Sequence, residues 1–83
     1  MIYVFSSPIC EPCQQLKFIV YELQQDFPNL QWKFINTIDD IEGLTKKYEV
    51  ERVPTIVIDS PRGIHRHTGT DISGYYNLLR NST

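Results

Sequence analysis

The fold is decided by residues 2–13, which read IYVFSSPICEPC. Residues 1–6 form an apolar run, and such a run predicts a strand that is buried on both faces. From Glu11 to Phe27 the apolar side chains recur instead at the spacing of one helix face. These side chains are Leu16, Ile19, Val20, Leu23 and Phe27. Cys10 and Cys13 therefore stand where a buried strand ends and a long amphipathic helix begins.

A second strand and a short helix are predicted next along the chain. Residues 31–36 have the composition of a strand. Asp39, with Glu42 three positions later, resembles a capping box and predicts a short helix that ends near Tyr48. The inward face of this helix is expected to contain Ile41, Leu44 and Tyr48.

The last third of the chain predicts a hairpin followed by a helix. Residues 56–58 and 64–68 are strand candidates, and residues 60–63 between them have the composition of a turn. Thr70 or Asp71 can cap a final helix. Its inward face is expected to contain Ile72, Tyr75 and Leu79.

The element order is therefore βαβαββα, and the fold class is a small α/β sandwich. Strands joined by a helix are expected to run parallel with a right-handed crossover, and the hairpin adds the last two strands. This gives a four-stranded mixed sheet with helices on both faces. At 83 residues and 9.7 kDa the chain has room for one hydrophobic core, so residues 1–83 are expected to form a single domain.

Composition excludes several classes of function. An apolar share of 41% is too high for intrinsic disorder, and the apolar runs are too short for a membrane-spanning helix. The net charge of −2 provides no broad attraction for nucleic acid. Residues 1–5 lack the basic and long apolar regions of a signal peptide, which favours a cytoplasmic location. We expect a monomer with no membrane partner.

The cysteine pair is suited to thiol chemistry by its position. The N-terminus of a helix presents unpaired amides and a partial positive charge, and such settings lower the pKa of a cysteine from about 8.5 to roughly 3.5–7.5. Cys10, at the cap, is expected to be the exposed nucleophile, and Cys13 the thiol that resolves the mixed disulfide. Pro12 has no amide hydrogen to lose in the first turn. The charge of Glu11 opposes the Cys10 thiolate by about 1 kcal/mol or less and is expected to make the pair more reducing.

The cysteines have two alternative uses. Together with His65 and His67 they provide the ligand types of a Cys2His2 zinc site. The histidine strand is last in the chain, however, and is expected at the sheet edge, remote from the cysteines and exposed to solvent. A purely structural disulfide would close a loop of only two intervening residues in a reducing compartment. No metal is therefore expected.

Residues 48–55, YEVERVPT, are the second informative stretch. A proline at the start of an apolar strand indicates a special backbone geometry, and a cis peptide between Val53 and Pro54 is the natural candidate. The two stretches together resemble the thioredoxin superfamily over nearly the whole chain. The resemblance implies that Pro54 is cis and packs beside the cysteines. It also implies that the Val53 backbone pairs with an incoming peptide or glutathione.

The sequence departs from the family pattern at several positions. The chain has the size of a glutaredoxin and lacks the first strand and helix of a full thioredoxin. Val4 stands where thioredoxins carry a buried aspartate, and Ile9 stands where they carry a tryptophan. Residues 69–71 resemble faintly the segment with which glutaredoxins hold glutathione, although a strand end followed by a helix cap is the preferred interpretation.

The resemblance implies a thiol–disulfide oxidoreductase that reduces protein disulfides, with ribonucleotide reductase as one such substrate. Electrons would come from NADPH through a flavin-dependent thioredoxin reductase, and no cofactor need bind to this chain. One alternative is a glutaredoxin that takes its electrons from glutathione. Alternatives of another class are a zinc-binding domain and a thioredoxin-like binding module that does not use its thiols.

Overall fold

The structure, a computed structural model, describes residues 1–82. The elements are β1 (Ile2–Ser6), α1 (Glu11–Asp26), β2 (Trp32–Asn36), α2 (Leu44–Lys47), β3 (Thr55–Ser60), β4 (Gly63–Thr68) and α3 (Ile72–Ser82). This is the predicted order βαβαββα. Within this part of the chain, none of the helices is both long enough and apolar enough to cross a membrane.

The strands form one mixed sheet in the order β2-β1-β3-β4. β1 and β2 are parallel, as expected for strands joined by α1, and β3 and β4 form the predicted antiparallel hairpin. β3 is antiparallel to β1 and therefore also runs opposite to β2, although α2 lies between β2 and β3. The prediction that strands joined by a helix run parallel is therefore wrong for β2 and β3. The connection contains only the four-residue α2, and β3 begins at the end of the sheet where β2 ends, since Phe5 pairs with both Ile35 and Thr55.

Alternating residues of the central strands divide the core into two layers. One layer joins β1 and β3 to α1 and α3, and the other joins β1, β2 and β3 to α2. In β1, Val4 belongs to the first layer and Phe5 to the second, because successive side chains of a strand point to opposite faces. Helices therefore cover both faces of the sheet, as predicted.

α1 is the longest element and has the expected buried face. Leu16, Val20 and Leu23 are buried, and Ile19 and Phe27 are partly buried against them. The helix ends at Asp26, where the amide of Phe27 still donates to the carbonyl of Leu23 at 2.9 Å. The apolar spacing thus placed α1 and its orientation correctly.

The predicted capping box at Asp39 and Glu42 is wrong. α2 begins only at Leu44, after Gly43 with a φ of 70°, and its first turn is held by Asp40, whose Oδ2 accepts from the Thr45 amide at 2.5 Å. Glu42 instead forms an ion pair with Lys33 on β2, with Nζ and Oε2 2.5 Å apart. The segment before α2 is therefore a loop that follows β2, and Ile41, predicted to face inward, is 92% exposed. Leu44 and Tyr48 are buried, as predicted.

Two of the three residues that were predicted to form the inward face of α3 are buried. Tyr75 and Leu79 are fully buried, whereas Ile72 lies at the surface. Ile72 is the first residue of the helix, and that first turn is oriented by a polar contact between Asp71 and His67 rather than by apolar burial.

Candidate active site

The two cysteines lie at the junction of β1 and α1 and form a disulfide. Their Cα atoms are 5.2 Å apart. Cys10 is the N-cap of α1, and its Sγ accepts from the amide of Cys13 at 3.3 Å. Glu11 and Pro12 occupy the first turn, and both are exposed. The sulfur of Cys10 thus occupies the place where a helix terminus offers unpaired amides to negative charge.

The two sulfurs have different environments. Cys10 is partly exposed, whereas Cys13 is only 1% exposed and belongs to the buried face of α1. This difference follows from their positions, because the cap residue stands outside the helix and the residue three positions later lies one turn inside it. Only Cys10 is open to a large molecule that approaches from solvent.

The proline segment, residues 52–55, lies against this disulfide. The Val53–Pro54 peptide bond is cis. The carbonyl oxygen of Val53 is 3.8 Å from Cys10 Sγ, so that a thiol on Cys10 would donate to it after reduction. Two stretches more than 40 residues apart, the cysteine loop and the proline segment, are brought together by this contact.

Hydrogen bonds hold the proline segment in place. The hydroxyl of Thr55 donates to the carbonyl of Arg52 at 2.6 Å and lies 2.8 Å from the hydroxyl of Thr68 on β4. The amide of Gly69 donates to the carbonyl of Pro54 at 3.1 Å. Pro54 itself is buried, and Val53 is half-buried at the edge of the site. The backbone that faces Cys10 is therefore anchored to β4.

A polar cavity that the sequence analysis missed lies next to Cys13. It has a volume of about 170 Å³, and Ser6, Lys17 and Asn36 are among the residues that line it. A smaller cavity of about 40 Å³ on the apolar side of Cys13 is lined by Val4 and Lys17, among others. Lys17 was identifiable from its spacing, because it follows Cys13 by four residues and therefore lies one turn further along the same side of α1. Ser6 and Asn36 end neighbouring parallel strands, which meet at this edge of the sheet.

The exposed surface around the disulfide is mixed in character. Pro8 and Ile9 form an apolar portion, and Ile9 is 86% exposed. Glu11, Glu51 and Arg52 are exposed charged residues in the two segments that meet at the site. This surface is compatible with an approaching polypeptide rather than with a buried small molecule.

The histidines of β4 are not part of this site. β4 is an outer strand, as predicted, and His65 is exposed. His67 is only partly exposed: its Nε2 lies 2.7 Å from Asp71 Oδ1, and its ring meets the ring of Tyr75 edge-on at 4.8 Å. Across residues 1–82, no group of three or more His, Cys, Asp or Glu side chains is arranged to hold a metal ion.

Asp71 is the cap of α3, in agreement with the preferred interpretation of residues 69–71. It directly precedes the helix, and hydrogen bonds from His67 and from the amide of Gly74 lower the pKa of its carboxyl. The ring hydroxyl of Tyr75 donates to the carbonyl of Gly69 at 2.5 Å. The Asp71 carboxylate and the Tyr75 hydroxyl thus both stabilise the junction between β4 and α3.

Comparisons with known proteins agree with this geometry. The family model of the thioredoxin domain matches residues 1–75. A curated relative, thioredoxin H-type from Fagopyrum esculentum, is 33% identical over 54 residues, which cover 65% of this chain and 46% of the relative. The chain thus spans about half the length of the curated relative that it matches.

Solved structures show the same fold. Oxidised mitochondrial thioredoxin 3 from Saccharomyces cerevisiae gives a TM-score of 0.85 at 18% identity, over 96% of this chain and 76% of that one. Thioredoxin from Fasciola hepatica gives a TM-score of 0.86 at 20% identity, over 99% of this chain and 79% of that one. Because the family model extends from the first strand into the last helix, this chain belongs to the thioredoxin-domain family.

Proposed function

We propose that the protein is a thiol–disulfide oxidoreductase that reduces disulfides of protein substrates through Cys10 and Cys13. The observation that carries the proposal is the asymmetric pair at the start of α1, with one sulfur open at the helix cap and the other buried one turn below. This is the arrangement that sequential thiol exchange needs, because the first sulfur must meet the substrate and the second must meet only the first.

In the reduced protein, the Cys10 thiolate attacks one sulfur of a substrate disulfide. The substrate S–S bond breaks, a mixed disulfide with Cys10 forms, and the other substrate sulfur leaves as a thiolate. Cys13 then loses its proton and attacks Cys10 Sγ, which releases the second substrate thiolate. The product is the Cys10–Cys13 disulfide seen in the structure, and two electrons have passed to the substrate.

Val53 and Pro54 are proposed to hold the substrate during this exchange. The contact between Val53 and Cys10 supports this role, because an extended peptide that pairs with the Val53 backbone would present its own sulfur close to Cys10. The anchoring of this segment to β4 supports it further, since a binding backbone that is already ordered costs less entropy on association.

The proton of Cys13 needs a route to solvent. Since Val4 provides no carboxylate, we propose that it leaves through the polar cavity lined by Ser6, Lys17 and Asn36. The positive charge of Lys17 would favour the thiolate of Cys13 during the second step.

The electron donor and the cellular compartment are proposed from membership of the thioredoxin-domain family. We propose regeneration by a flavin-dependent thioredoxin reductase that uses NADPH, in a reducing cytoplasmic compartment, with ribonucleotide reductase among the substrates. Glutathione is the competing electron source. Turnover coupled to thioredoxin reductase should exceed turnover coupled to glutathione and glutathione reductase, and the reverse ranking would assign the protein to the glutaredoxin type.

The mechanism is tested by single cysteine variants in an insulin-reduction assay. Cys10→Ser should reduce the rate to the uncatalysed background, because the one remaining thiol, that of Cys13, is buried. Cys13→Ser should also lose turnover but should accumulate a mixed disulfide between Cys10 and the substrate, visible by mass spectrometry. Full activity of Cys10→Ser would contradict the mechanism.

A further inference from the structure

The two outer strands of the sheet differ in what surrounds them. β4 carries exposed His65 and Arg66, with Arg62 in the turn before it. Charged side chains on an edge strand oppose pairing with another chain. β2 has one charged residue, Lys33, and its charge is paired with Glu42. The outer edge of β2 therefore lacks the charges that protect β4.

Exposed aromatic side chains flank β2 on the α1 side. Phe34, in the middle of β2, is 58% exposed, and Phe18 and Tyr21 of α1 are 77% and 65% exposed. Lys17 connects them, because it lines a cavity of about 700 Å³ with Phe18 and Tyr21 and the 40 Å³ cavity with Phe34. Lys17 thus borders both the exposed rings of α1 and the cavity that Phe34 lines.

Exposed isoleucines flank β2 on the other side. Ile38 and Ile41 lie in the loop that follows β2, and both are exposed. The ion pair between Lys33 and Glu42 holds this loop next to the strand. Of the nine large hydrophobic residues exposed in residues 1–82, five therefore lie in β2, in α1 or in the loop that follows β2. A patch of this kind on a small protein indicates an interaction surface.

We propose that β2 pairs antiparallel with β2 of a second copy, so that the two four-stranded sheets become one continuous sheet in a twofold-symmetric dimer. The sequence of β2 is suited to this pairing. With Phe34 of both copies at the twofold axis, Lys33 lies opposite Ile35 of the second copy, and Trp32 lies opposite Asn36. No like charges face each other directly, and the central pair is aromatic, a favourable cross-strand combination.

The exposed aromatic rings supply about half of the surface that a standard interface buries per partner. The three aromatic rings together expose on the order of 400 Å² of apolar area per copy. The isoleucines and the backbone edge add to this, and a standard interface buries about 800 Å² per partner. Lys17 is the one charged residue among those that line the cavities beside Phe18, Tyr21 and Phe34.

The dimer would leave the disulfide accessible. Val53, which contacts Cys10, leads into β3, and β3 lies on the opposite side of β1 from β2. Lys17 and Asn36 border both this interface and the cavity beside Cys13. Because association is measured without any substrate, its failure is distinguishable from failure of the proposed function.

Sedimentation equilibrium of the oxidised protein over about 1–500 µM, a range that detects micromolar dissociation constants, tests the proposal. The unmodified chain should show a concentration-dependent dimer. Phe34→Lys places two positive charges at the twofold axis and should weaken the association by about 30-fold or more, the effect of losing a central interface residue. Phe34 is largely exposed, so this variant should fold, which circular dichroism and the unfolding midpoint will check.

Ile64→Lys is the matched control, because Ile64 is 54% exposed on β4, the other outer strand. It should leave the association unchanged. A monomer throughout the concentration range would overturn the proposal and would indicate that the patch binds a different protein. A dimer that resists Phe34→Lys, or that Ile64→Lys disrupts equally, would also overturn it, because association would then use another surface.

Discussion

On one face of the sheet a thicker layer of nine buried side chains includes five from α1 and α3, whereas on the other face a thinner layer of five includes only Leu44 from the four-residue α2. The thicker layer is almost entirely aliphatic and contains Leu16, Val20 and Leu23 of α1. The thinner layer is rich in aromatic residues, with the rings of Tyr3 and Tyr48 5.0 Å apart. The helix that carries the cysteines therefore rests on the layer with the larger apolar burial.

The thinner layer depends more on polar contacts. The hydroxyl of Tyr48 donates to Asp59 Oδ2 at 2.6 Å, and this hydrogen bond, together with burial, raises the pKa of Tyr48. The carboxylate of Asp40 accepts from the Thr45 amide and so holds the first turn of α2. A short helix buries too little apolar surface to be positioned by it alone, so directed hydrogen bonds supply the rest. Matched substitutions in the two layers test this difference.

The largest difference is expected between Leu23→Ala and Leu44→Ala, which remove the same atoms from the two layers. Leu23 is fully buried beneath α1, and its loss should cost about 4 kcal/mol of unfolding free energy, since the surrounding helices and strands cannot collapse into the cavity. Leu44 is 8% exposed on the short α2, which can shift, so its loss should cost about 2 kcal/mol. Guanidinium unfolding of the oxidised protein measures both. Equal losses would show that α2 is held as rigidly as α1.

The polar contribution to the thinner layer is tested by Tyr48→Phe. Loss of the hydroxyl leaves Asp59 without this donor and should cost about 1–2 kcal/mol at pH 7. The dependence on pH has a defined sign. Because the pKa of Tyr48 is raised above its ordinary value of 10.0, the unfolded chain ionises first, and stability is lost as the pH rises above about 10.

Tyr48→Phe should therefore lose stability less steeply than the unmodified protein between pH 10 and 11. Tyr21→Phe is the control, because Tyr21 is exposed on α1. Parallel pH profiles for Tyr48→Phe and the unmodified protein would contradict the role of the Tyr48–Asp59 hydrogen bond.

The smallest effect is expected at the end of the thicker layer, where Asp71 caps α3. Asp71→Asn keeps a side chain that can cap the helix but removes the charge beside His67. Because the pKa of Asp71 is lowered from 3.8, its stabilisation is present above about pH 4 and is lost as the pH falls through the lowered value. The variant should be slightly less stable at pH 7, and the difference should disappear near pH 2. Asp39→Asn, in the exposed loop before α2, should show no such pattern. A difference that persists at the lowest pH would exclude the charge as its cause.

The sequence predicted best those features that depend on local periodicity. The spacing of Leu16, Val20 and Leu23 placed α1, and the apolar run at residues 1–6 placed β1, because long regular patterns leave few alternatives. The short α2 was predicted poorly. A capping box is predicted from only two side chains. Here Glu42 forms an ion pair with Lys33 instead, which is nine residues away and on another element. No local pattern reports such a contact.

By itself the sequence determined that the two cysteines stand at the start of a helix, one at its cap and one a turn below, because helix periodicity and the spacing of two intervening residues fix both positions relative to the backbone. Only the tertiary structure decided that Val53 lies against Cys10, that Lys17, Ser6 and Asn36 share a cavity beside Cys13, and that β2 is an outer strand of the sheet formed by residues 1–82. These features depend on how strands that are distant in sequence are ordered in the sheet, and that order is set by the burial of the whole core rather than by any one segment.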